Sequence, residues 1–93
     1  MFWEMKPLWR DDLQVRQVGD ELVILDRRSG LIHQLNGTAR YIWNRCDGNA
    51  GVEEIASSLA EEYGLIWECS RQDVEAAIGK FGELGLLMAE QPR

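Results

Sequence analysis

A reactive site needs a nucleophile beside a base, or three to four ligands around a metal. His33 is the only imidazole in the chain, and Cys46 and Cys69 are its two thiols. The cysteines form neither a CxxC pair nor a zinc-type spacing, and two of them make no disulfide framework. Cys46 falls on the apolar side of a helical pattern, where a free cysteine acts as a small buried hydrophobe. The adjacent carboxylates Glu53/Glu54 and Glu61/Glu62 resemble acid–base pairs. Neighbours on a helix, however, point about 100° apart, and these four lie on a solvated face. No glycine-rich phosphate loop follows a strand. These residues point to no catalysis, no metal and no cofactor.

The elements that carry them are legible from periodicity. Leu13 to Val18 reads as a strand ended by Gly19-Asp20. Glu21 to Asp26 is apolar without a break from Leu22 to Leu25, as in a central strand covered on both faces. Arg27 to Gly30 is a turn, and Leu31 to Leu35 is a third strand. Such short connections predict an antiparallel meander. Asn36-Gly37 would suit a hairpin. The period that follows is helical instead: Ala39, Ile42, Trp43 and Cys46 share one face. Asn36 is then the expected N-cap, its side chain accepting a backbone N–H, and Asp47-Gly48 the expected end.

A second helix places Val52, Ile55, Ala56, Leu59, Ala60 and Tyr63 on one side and its glutamates and serines on the other, up to Gly64. A third helix is expected from Ser70, where Ser70 and Asp73 form a capping-box pattern. Its apolar face is Val74, Ala77, Ile78, Phe81 and Leu84, and Gly85 ends it. Leu86 to Ala89 is expected to pair briefly with the sheet. Three strands followed by three helices make an α+β domain, with a helix-turn-helix whose wing is the three-stranded antiparallel sheet.

Ninety-three residues make one small domain. Its organisation reads as an extension over residues 1–12 and a folded domain over 13–93. The formal net charge is −6. Residues 1–48 hold seven Lys/Arg and seven Asp/Glu, whereas residues 49–93 hold three and nine. An acidic half repels phosphate, so nucleic acid is a poor partner. No run of about 20 apolar residues exists to span a membrane, and the N-terminus lacks a signal-peptide core. With no disulfide framework, a cytoplasmic location is expected. Asn36-Gly37-Thr38 matches a glycosylation sequon, which has no consequence there.

The ordered set Leu35-Asn36-Gly37-Thr38-Ala39, Ile42-Trp43, Cys46-Asp47-Gly48, Val52 to Ala56, Leu59-Ala60, Tyr63, Asp73-Val74 and Gly85-Leu86-Leu87 resembles the PqqD family. The likeness spans about Leu13 to Leu87, with Gly51 where the family commonly has a threonine or serine cap. The resemblance implies a non-catalytic, winged-helix-like domain. Such a domain binds the leader of a ribosomally made precursor peptide and presents it to a modifying enzyme, a radical-SAM protein of pyrroloquinoline quinone synthesis in the best-known case. It further implies a leader added as a strand to the edge of Leu31, Ile32, His33, Gln34 and Leu35 and packed on the third helix. On that helix Arg71, Glu75, Ile78, Gly79 and Gly82 share a sector. The two interior glycines leave two readings open: a docked peptide, or close packing on the domain's own sheet.

Two other functions compete, a DNA-binding winged helix and a small regulatory subunit of an enzyme. Phe2, Trp3, Leu8 and Trp9 are too apolar for an idle tail. They are expected to cover the domain's own sheet, to join two copies as a homodimer, or to contact the partner enzyme.

Overall fold

The computed structural model describes residues 6–88. Three strands, β1 (Gln14–Val18), β2 (Glu21–Asp26) and β3 (Leu31–Leu35), precede three helices, α1 (Gly37–Asn44), α2 (Val52–Tyr63) and α3 (Trp67–Glu83). The sheet is an antiparallel meander of order β1-β2-β3. The α+β architecture is the one that periodicity predicts.

Period-2 alternation sets the sheet's two faces. Leu22, Ile24 and Asp26 are buried, while Glu21, Val23 and Leu25 are only half-buried. Strand β2 is therefore not covered on both faces, as its apolar run suggests. All three helices follow the sheet and pack on one side of it, so the apolar run fills one core face and one open face. Strand β1 is exposed along its whole length.

Below the buried face lies a single core. It joins β2 to Ile42 and Trp43 of α1, to Val52, Ile55, Ala56 and Leu59 of α2, and to Val74, Ile78 and Phe81 of α3. Trp43 is its largest member, 2% exposed, and meets Phe81 edge-to-face at 5.2 Å. That geometry sets the positive ring edge of one residue against the negative face of the other.

The helix ends depart from expectation in informative ways. Asn36 occupies the N-cap position of α1, but its side chain makes no capping bond. The reversal from strand to helix is made by Gly37, at φ 57°, a conformation that glycine takes without steric cost. Helix α1 stops at Asn44, before Asp47-Gly48, and its last turn tightens through Arg45 N–H to the Ile42 carbonyl and Cys46 N–H to the Trp43 carbonyl. Helix α2 is capped from within, as Glu54 Oε1 accepts the Gly51 N–H at 2.8 Å. A glycine therefore suffices where a threonine or serine would otherwise stand.

Helix α3 begins at Trp67 rather than Ser70. Ser70 is fully buried, and its hydroxyl donates to the Ala56 carbonyl of α2 at 2.6 Å. The capping pattern is thus a coincidence of spacing: the hydroxyl faces α2, where burial demands a partner.

Leu86 to Met88 do not extend the three-stranded sheet. Leu87 bridges Trp9, and Leu8 bridges Asp47. Residues 7–10 form a strap between the end of α1 and the chain after α3. Its backbone bonds run between Trp9 and Cys46, Gly48 and Pro7, Arg10 and Leu86, and Met88 and Leu8. The Trp9 indole donates to the Trp43 carbonyl at 2.6 Å. Leu8 and Trp9 therefore cover their own domain. Phe2 and Trp3 lie outside the described residues.

Candidate functional site

The sheet has two edges, β1 and β3. Strand β3 pairs on one side with β2, and its other edge has no strand partner among the described residues. An open edge presents unpaired N–H and C=O groups to any extended chain that approaches. Register assigns its faces. His33 lies opposite buried Ile24, so Leu31, His33 and Leu35 line the core side, while Ile32 and Gln34 share the open face with Leu25 and Val23. Leu31 is 53% exposed and Ile32 64%. Two adjacent apolar residues are thus left to water on a strand of five. Leu35 is half-buried against the core. His33 Nε2 is enclosed and meets no hydrogen-bond partner among the described residues.

The second half of the expected site lies on α3. Strand β3 packs on β2, whereas α3 packs on α1 and α2. The two halves meet in the shared core, to which Leu35 of β3 and Val74, Ile78 and Phe81 of α3 all contribute. Ile78 is 3% exposed and belongs to that core, so it supplies floor rather than contact surface. Arg71 reaches Glu75 at 3.4 Å and Glu53 of α2 at 3.8 Å. A Cβ added at Gly79 or Gly82 would meet nothing within 4 Å. Close packing on the domain's own sheet is thereby removed as the reason for these glycines, and the space before them is open.

Cys46 is buried, its thiol pushed up to about 12 by burial and, secondarily, by the charge of Asp47. Cys69 is exposed. Among the described residues no three His, Cys, Asp or Glu side chains converge as a metal site, and no helix is long and apolar enough to cross a membrane. The exposed side of α3 bears Glu68, Asp73 and Glu83 beside Lys80, a poor balance for phosphate.

Sequence reasoning misses one cluster. Asp26 is 2% exposed, and a buried charge requires a partner. Arg10 supplies it, with Nη1 and Nη2 donating to the two carboxylate oxygens at 3.0 and 3.1 Å. The signal was present in the strand's period, which turns Asp26 inward with Leu22 and Ile24.

The family model for coenzyme PQQ synthesis protein D (PqqD) matches residues 21–87. The chain belongs to the PqqD family. Its match opens at the first residue of β2 and closes at Leu87, so the PqqD-type unit includes both β3 and α3. Two solved structures share its fold. One is described as lasso peptide synthetase B1 complexed with the leader peptide; it is 29% identical, with a TM-score of 0.80, over 89% of this chain and 98% of that one. The other, TbiB1 in complex with the TbiA(beta) leader peptide, is 20% identical with a TM-score of 0.80, over 91% of this chain and 99% of that one. No curated protein matches.

Proposed function

We propose that this PqqD-family chain binds the leader segment of a ribosomally made precursor peptide and presents it, without catalysis of its own, to a modifying enzyme. The leader adds as a strand to the free edge of β3 and lays side chains toward α3. The open edge of β3, with Leu31 and Ile32 exposed, is the observation that carries this reading. Edge addition draws affinity from main-chain hydrogen bonds and selectivity from side-chain pockets. Leu31, Ile32, His33, Gln34 and Leu35 offer the strand. Arg71, Glu75, Gly79 and Gly82 form the facing helical surface, and Ile78 its floor.

The structural neighbour named lasso peptide synthetase B1, complexed with the leader peptide, supports the peptide as ligand. The family resemblance implies a radical-SAM protein downstream in its best-known case, whereas the neighbour is named lasso peptide synthetase B1. Leader recognition is the step they share, and it is the step assigned to this chain.

The test is a titration of a synthetic leader from a candidate precursor peptide against Ile32→Pro and His33→Pro. Proline removes one ladder N–H, and adjacent residues of a strand point their N–H groups to opposite edges. Binding is expected to fail in the variant whose N–H faces the free edge, once circular dichroism has confirmed that both variants fold. Unchanged affinity in both would overturn the edge as the site.

A further inference from the structure

We propose that Arg10 is a positioning residue for leader binding, a staple that sets β3 against α3 at one end of the proposed site. This inference rests on the leader-binding reading. One guanidinium reaches three separate parts of the chain. It grips Asp26, the last residue of β2, through two nitrogens. Its Nη1 donates to the Gly85 carbonyl at 2.8 Å, just past the end of α3. Its Nε and Nη2 donate to Asp12, ahead of β1, at 3.0 and 2.9 Å.

Asp26 in turn builds the turn into β3. Its Oδ1 accepts the Arg28 N–H at 3.1 Å, and its carbonyl accepts the Gly30 N–H at 2.8 Å. In the sheet register Asp26 stands opposite Leu31, the first residue of the proposed binding strand. Arg10 therefore ties the start of β3, through Asp26, to the end of α3. The ion pair is enclosed, with side-chain exposures of 12% for Arg10 and 3% for Asp26. The planar fork of arginine makes this grip possible, and lysine, a single point charge, cannot reproduce it. A peptide that must touch both elements binds best when their separation is set beforehand.

The probe is a fluorescein-labelled synthetic leader from a candidate precursor peptide. Its Kd is measured against the full chain, Arg10→Lys, Asp26→Asn and a control, Ile55→Val, which trims the α2 core. All are compared at a temperature where each is fully folded. If loosening leaves one molecule in ten binding-competent, Kd rises about tenfold. That rise is expected for Arg10→Lys and Asp26→Asn, with no change for Ile55→Val. Should Asp26→Asn fail to fold, Arg10→Lys and Asp12→Asn decide. Lower melting midpoints with wild-type Kd would show that the staple only stabilises, and would overturn the proposal. No binding by the unaltered chain would instead sink the leader reading, and the staple's role with it.

Discussion

The two cysteines occupy opposite environments, and this predicts their reactivity. Thiolate is the reactive form, and Cys46 is buried with its Sγ 3.3 Å from the Ile42 carbonyl and its thiol raised to about 12. A short iodoacetamide pulse on the folded chain should modify Cys69 alone, and a pulse in urea should modify both. Native labelling at Cys46, read by peptide mass spectrometry, would show that its site opens in solution. Trp43 makes a companion case. Its removal as Trp43→Ala should cost ~3–5 kcal/mol. That is a large part of the stability of such a domain. A melting midpoint unchanged to within a degree or two would contradict its burial. Both assignments were legible in the sequence, since helical spacing put Cys46 and Trp43 on the apolar face. Ser70 was not, because a hydroxyl at that spacing serves equally well as a cap or as a partner for a neighbouring helix.

At the level of elements, α3 carries a cost with no internal return. Gly79 and Gly82 lie within the helix with open space before them. Each should cost up to ~1 kcal/mol relative to alanine. Gly79→Ala and Gly82→Ala are therefore expected to raise the melting midpoint while weakening leader binding, because a methyl fills space the leader would use. Tighter or equal binding in both would remove the glycines from the site. The turn between β2 and β3 offers a pH test. Arg10 holds the Asp26 carboxyl at about 2, against an ordinary value of 3.8. The folded value lies below the unfolded one, so ionised Asp26 adds stability above about pH 4 and loses it as pH falls toward 2. The stability difference between the unaltered chain and Asp26→Asn should shrink across that window. A difference that stays constant from neutral pH to pH 2 would contradict the ion pair. Strand and helix identities follow from period, and so did β3 as the last strand of the meander. The start of α3 did not, since Ile66 and Trp67 carry no capping chemistry to mark it.

At the level of the whole molecule, the domain is a flat body of 38 × 37 × 19 Å closed by its own N-terminal strap. The aromatic residues near the N-terminus could have served to cover the domain, to join two copies or to contact the partner enzyme. The strap's backbone bonds answer for residues 7–10: they go to Cys46, Gly48, Leu86 and Met88, and none goes to β3. Pro7 is buried, and the Trp9 ring lies 6.2 Å from Trp43, so the strap shields the largest core residue. Deleting residues 1–9 removes the indole bond to the Trp43 carbonyl and both bridges. Loss of the indole bond alone is worth about 1 kcal/mol. For a domain of this size each kcal/mol lowers the melting midpoint by roughly 4–8 °C. The truncated chain should therefore melt several degrees lower and bind leader no more tightly, and its mass in solution should not change. Tighter leader binding after truncation would mean that the segment competes for the edge in cis. A halved mass would mean that it joins two copies. A lower melting midpoint with neither effect is what a strap folded onto its own core requires.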